Sequence, residues 1–262
     1  MPQAWCRSRR NPSRAALYTR AAARTVPGGS PGLAIADGWF AEGRPARLGA
    51  LSGVGAAVAC LAAAGIAGVT LEGFSHLDHP LALLGAQGVP GARAFNAVGF
   101  VLPGLLAAVV ALASYRRLPA TAGWWPRIGA RMLLLSALAF AAQGLFPLDL
   151  QDLDGPGSGL HASAWLVWWI GFVAGAPLLA VGLPSVRRLT AAVVLLMLAM
   201  MLVPQGWVGP ALAQRIAFAA WLAWLALAPW HGAAGGSAVA DLEAQDDRGQ
   251  QQGGDVGQDH RP

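Results

Sequence analysis

The chain has 262 residues, 55% of them hydrophobic and only 12% charged, whereas soluble domains are about a quarter charged. A water-soluble core of this length could not hide so much apolar surface, so a soluble globular fold is excluded. The net charge of +5 does not imply nucleic acid either, because the arginines sit in short groups beside apolar runs and form no aromatic-interleaved basic patch.

All 18 basic residues are Arg and none is Lys, and Ala, Gly and Pro are abundant, a bias expected of a GC-rich bacterial gene. Cys6 lies in a polar stretch and Cys60 in an apolar one, so the two cysteines form no disulfide framework. Residues 1–47 carry eight arginines with Ser, Pro and Gly and no sustained apolar stretch. They read as a disordered leader and not as a signal peptide, which needs an apolar segment of its own. Its composition resembles a transit peptide, and a start placed too far upstream explains it equally well.

Six apolar runs follow, each near the roughly 20 residues that cross a bilayer. They are expected at Leu48–Thr70, Ala97–Tyr115, Ile128–Leu145, Ala162–Pro184, Leu189–Trp207 and Ala211–Trp230, the last shortened by Gln214 and Arg215. Short cytoplasmic loops are enriched in arginine. The leader, the second-to-third connection (Arg116, Arg117 and Arg127, with Arg131 just inside span three) and the fourth-to-fifth (Arg187, Arg188) are rich, while the alternate connections hold Arg93 alone. The expected fold is therefore an all-α bundle of six transmembrane helices in a bacterial inner membrane, with both termini cytoplasmic. Residues 48–230 form the membrane domain, and residues 231–262 read as a disordered polar tail. The expected partner is the lipid bilayer; a homo-oligomer stays open.

Gly49 and Gly53, and Gly171 and Gly175, have the small-xxx-small spacing of closely packed helices. Ser136 and Gln143, seven apart, share a face of span three and can bond a neighbouring helix. Trp124, Trp125, Trp207 and Trp230 fall near span ends, where an indole buries its ring and keeps its N–H wet.

Residues able to do chemistry cluster at one membrane surface, the periplasmic one on this topology. Glu72, Ser75, His76, Asp78 and His79 follow span one, Asn96 opens span two, and Asp149, Asp152, Asp154 and His161 lie between spans three and four. The segments SHLDHPLALLG from Ser75, FNAVGFVLPG from Phe95 and GLFPLDLQDLDGPGSGLH ending at His161 resemble the prokaryotic six-helix membrane family known as domain of unknown function 998. That family has a Ser, His-Pro and Leu-Gly signature after helix one, an FN pair opening helix two, and FP-x-D followed by LH after helix three. The resemblance spans about Leu48 to Trp230 and implies architecture without an activity. The family's tighter Ser-His-Pro is interrupted here by His76 and Asp78, so the alignment rests on His79 and Pro80.

Three readings of the cluster stay open. If span one continues helically, His76 and His79 share a face, as two ligands of one metal must. With His161 they would then hold zinc, whose bound water Asp149, Asp78 or Ser75 assists, in a hydrolase acting on a lipid at the outer face. In the second reading the same residues only knit helix ends together. The third is a small-solute transporter, for which the spans offer few polar groups: a charge at mid-bilayer costs about 2.5–3.5 kcal/mol. A bis-histidine haem site fits poorly, since every histidine is expected outside the spans.

Overall fold

The computed structural model describes residues 44–204 and 206–231; most of the expected leader, and all of the expected tail but its first residue, His231, lie outside them. Among the described residues there is no strand, and six helices are long and apolar enough to cross a membrane. They are α1 (Arg44–Thr70), α2 (Ala92–Arg116), α3 (Trp124–Leu145), α4 (Pro156–Gly182), α5 (Arg187–Leu202, which with the preceding turn Pro184–Val186 makes a span of 19 residues) and α6 (Pro210–His231). α1 begins inside the segment read as leader. It ends where Thr70 turns its Oγ back to donate to the Ala67 carbonyl at 3.1 Å, followed by Glu72 and by Gly73 at φ 74°, a conformation glycine adopts without strain.

α2 is not a regular α-helix. Residues Asn96–Val101 form a π turn, in which the Leu102 N–H reaches the Ala97 carbonyl. Pro103 explains it: proline has no N–H for the carbonyl four residues back and its ring crowds that carbonyl, so the helix widens just before it. α2 starts at Ala92, five residues before the expected Ala97, which puts Arg93 in its first turn. α4 starts at Pro156 and not Ala162, because proline at a first helical position has its φ already set and lacks only an N–H that would be unpaired anyway. α5 ends at Leu202, short of the expected Trp207.

Neighbouring helices pack in chain order, α1 on α2, α2 on α3, α3 on α4 and α4 on α5. Glycines set the closest approaches. A Cβ at Gly175 would lie 2.8 Å from Met132 Cβ and 3.0 Å from the Gly129 carbonyl, and one at Gly171 3.1 Å from the Met132 carbonyl. Gly53 abuts the Leu225 carbonyl, and a Cβ at Gly49 would sit 3.0 Å from Ala113 Cβ. Both small-residue pairs are thus helix contacts, Gly171 and Gly175 with α3, Gly49 and Gly53 with α2 and α6. Ser136 Oγ donates to the Trp168 carbonyl across the α3–α4 interface at 2.7 Å.

α6 supplies much of the core. Trp221 lies 4.3 Å from Phe140 of α3, Phe218 is 4.8 Å from Trp168 of α4 (ring centroids in both), and Trp224 Nε1 donates to Thr190 Oγ1 of α5 at 2.9 Å. The outer surface is apolar instead: Leu51, Leu61, Ile66, Val69, Leu195 and Leu202 are all exposed. In water such a surface would be an aggregation site; the chain is a multi-pass membrane protein. Trp124, Trp125 and Trp230 are exposed at helix ends and Trp207 in the α5–α6 connection, as membrane-interface tryptophans are.

The α1–α2, α3–α4 and α5–α6 connections meet at one end of the bundle. The Gln87 N–H donates to the Leu148 carbonyl at 2.8 Å, and the Leu81 N–H to Gln214 Oε1 at 3.2 Å. The opposite end carries Arg116, Arg117, Arg127, Arg187 and Arg188, and Arg117 Nη1 donates to the Pro229 carbonyl at 3.3 Å.

Candidate functional site at the histidine end

Because α1 stops at Thr70, His76 and His79 do not share a helical face; they lie in a run of turns. That run is tied to itself. The Ser75 N–H donates to His79 Nδ1 at 2.9 Å, the His79 N–H returns to the Ser75 carbonyl at 3.0 Å, and Ser75 Oγ donates to Asp78 Oδ2 at 2.6 Å. A nucleophilic serine would give its proton to an imidazole nitrogen. Here Ser75 gives it to an exposed carboxylate, and His79 Nδ1 is taken by a backbone donor.

His161 lies inside α4, in its second turn, and only 8% of it is exposed. Its Nδ1 is 3.1 Å from the Gln143 carbonyl and 3.0 Å from the Phe146 carbonyl. Carbonyls only accept, so Nδ1 carries the proton. Those carbonyls belong to the last turn of α3 and the residue just past it, where helical partners run out. His161 is therefore a cap for α3 delivered from α4. His79, whose Nδ1 faces a donor, holds the opposite tautomer when neutral.

Asn96 Nδ2 donates to the Gly85 carbonyl at 2.8 Å, so the FN and Leu-Gly segments touch. Asp149 builds its own loop: its Oδ1 accepts from the Gln151 N–H at 2.9 Å, and its N–H donates to Ser158 Oγ at 3.1 Å. Ser158 in turn donates to the Asp152 carbonyl at 2.9 Å. Among the described residues no group of three or more His, Cys, Asp or Glu stands close enough to hold a metal ion. The expected zinc centre of His76, His79 and His161 is thus not assembled, and Ser75 and Asp78 bond to each other, with Asp149 bonded within a separate loop.

The feature that the sequence undersold is Arg215. A cleft of about 280 Å³ opens between α1 and α6, lined by Cys60, Leu61, Gly65, His76, Arg215 and Leu222 among others. Arg215 Nη1 donates to the Ala211 carbonyl at 3.0 Å, but its Nε and Nη2 are buried with no partner among the described residues. The guanidinium lies 5.8 Å from the Phe74 ring centre, and Phe74 in turn packs on His76 at 5.0 Å. His76 fits there because its imidazole lies on the bare Cα of Gly68. Arginine in the second turn of a span reads from sequence only as an interruption; the signal was that it stands alone, with no acid in its own helix.

A model of the protein family described as protein of unknown function (DUF998) matches residues 54–231, which takes in every connection described above. No curated protein and no solved structure matches the chain.

Proposed function

Since the chain belongs to the DUF998 family, whose description names no activity, we propose that it is an anionic-lipid-binding protein of a bacterial inner membrane. The bound group is the phosphate of a lipid headgroup, held by Arg215 in the α1–α6 cleft. Both termini lie in the cytoplasm in this reading, which the crowding of arginines at the end opposite His76, His79 and His161 supports. The cleft then belongs to the outer leaflet.

The observation that carries the proposal is the pair of buried, unpartnered donors on Arg215. Arg215 is only partly buried as a residue, but its Nε and Nη2 are out of water, and donors so placed demand an acceptor, which charge-assisted bonds to an anion supply. Arg215 lies five residues into α6, about 7.5 Å along its axis at 1.5 Å per residue, near the boundary between headgroups and acyl chains. Leu61, 60% exposed on the cleft wall, offers an acyl chain a continuous apolar track. His76, which also lines the cleft, adds a second polar contact. Ser75, Asp78, His79, Asp149 and His161 serve in this reading as the ties that hold the cleft's end of the bundle.

Native mass spectrometry of purified protein, titrated with phosphatidylglycerol or phosphatidylcholine, tests it. Phosphatidylglycerol is expected to bind preferentially. Arg215→Gln should weaken that binding about tenfold or more, as loss of a charged hydrogen bond does, whereas Arg93→Gln at the same end should not. Equal binding of both lipids, or equal loss in both variants, overturns the proposal.

A further inference from the structure

Charge is divided between the two ends of the bundle. Among the described residues every acid, Glu72, Asp78, Asp149, Asp152 and Asp154, lies in the connections at the end that carries His76, His79 and His161. Arg116, Arg117, Arg127, Arg131, Arg187 and Arg188 lie at the other end, and no described carboxylate stands with them. Arg116, Arg131, Arg187 and Arg188 are exposed.

Two of these arginines are already held in place by backbone. Arg127 donates from Nε to the Ala122 carbonyl at 3.4 Å and from Nη2 to the Ala120 carbonyl at 3.3 Å, with its guanidinium 5.9 Å from the Tyr115 ring centre. Arg117 Nη1 reaches the Pro229 carbonyl near the end of α6. Carbonyls and a ring leave the charge in place, and each guanidinium keeps N–H donors to spare. Arg131 follows Arg127 by one turn and shares its face of α3.

An acidic partner is attached beside them. α6 ends at His231, two residues after the Pro229 that Arg117 touches. Beyond it the chain carries Asp241, Glu243, Asp246 and Asp247 with no arginine before Arg248, and residues 232–262 hold six acids and two arginines. The step from His231 to Asp241 can span about 33–36 Å when extended, which is about three helix diameters, so the acids can reach every helix at this end. We propose that residues 241–247 dock on the arginine end, their carboxylates paired with Arg117, Arg127 and Arg131. A tethered segment acts at an effective concentration on the order of millimolar, and a guanidinium that is already held loses little freedom when it pairs. The pairing depends neither on a lipid at Arg215 nor on which side of the membrane this end faces. Anionic headgroups of the bilayer are the rival occupant.

The test is photo-crosslinking within the full-length protein, with p-benzoylphenylalanine in place of Ala244, in phosphatidylcholine nanodiscs. Peptide mapping should place the adducts on residues 116–131. Neutralising the four acids together, by Asp241→Asn, Glu243→Gln, Asp246→Asn and Asp247→Asn, should remove them, as should salt near 1 M, where the Debye length is about 3 Å. Arg127→Gln should lower the yield about twofold to fivefold, the worth of one exposed ion pair, whereas Arg93→Gln at the far end should not. The neutralised tail alters no residue of the membrane domain, so it decides the matter even if Arg127→Gln folds poorly. Absence of adducts, adducts on residues 1–43 or on a second copy of the chain, or adducts that survive neutralisation overturn the proposal. Adducts that disappear once phosphatidylglycerol enters the nanodisc also overturn it, by assigning these arginines to the bilayer.

Discussion

Asn96 and Gly85 form a matched pair: the asparagine amide donates to the glycine carbonyl at 2.8 Å, and its Oδ1 lies against the glycine Cα. No side chain fits at position 85 while Asn96 keeps this rotamer, and the π turn that begins at Asn96 aims the amide there. Gly85→Ala should therefore destabilise the protein more than Asn96→Ala, which loses one buried hydrogen bond worth about 1–3 kcal/mol when its partner is left unpaired. Thermal unfolding in detergent measures both. The double variant should fall well short of the sum, because the two changes break one contact.

His161 caps α3 through Nδ1, and this role is separable from metal binding. His161→Asn puts an amide N–H near the Nδ1 position and should retain most of the stability, whereas His161→Phe should cost about 1–3 kcal/mol by orphaning two carbonyls. A chelator should leave the melting temperature of the unsubstituted protein unchanged. A chelator-sensitive Tm that His161→Asn removes would restore the zinc reading.

The glycine contacts divide into close and open positions. Gly53→Ala places a methyl on the Leu225 carbonyl, and Gly129→Ala places one on the Leu179 backbone nitrogen, so both should reduce the folded fraction on size-exclusion chromatography. Gly65 has nothing within 4 Å of a new Cβ, and Gly65→Ala should be neutral or stabilise by up to about 1 kcal/mol, since Ala is the better helix former.

How much of this was legible beforehand follows from what each residue depends on. The six spans depend on local hydropathy, and all six were readable. So were the paired glycines of α1 and α4 and the Ser136 contact, since helical spacing alone puts these residues on one face. Helix starts were misplaced where local chemistry misleads: Gly155-Pro156-Gly157 reads as a loop, yet proline suits a first turn. The histidine grouping failed for a tertiary reason. It required α1 to continue past Thr70, but Gly73 at φ 74° ends it, and His161 turned toward carbonyls eighteen and fifteen residues upstream. Arg215 matters only because of what fails to reach it, which no sequence pattern records.

Gly68 and His76 supply a more selective change at the lipid cleft than removal of the arginine. Gly68→Ala puts a methyl where the His76 imidazole rests and leaves Arg215 untouched. It should lower phosphatidylglycerol affinity about threefold, less than Arg215→Gln does, since a neutral contact is worth roughly half a charged one. His76→Gly should match it, and the two together should add little.

Photo-crosslinking with phosphatidylglycerol carrying a diazirine near the headgroup end of one acyl chain locates the bound lipid directly. Peptide mapping should place the adducts on the facing walls of the cleft, around Cys60 to Gly65 of α1 and Arg215 to Leu222 of α6, and Arg215→Gln should disperse them. Adducts spread evenly around the six helices, unchanged by that substitution, would contradict a lipid phosphate held at Arg215.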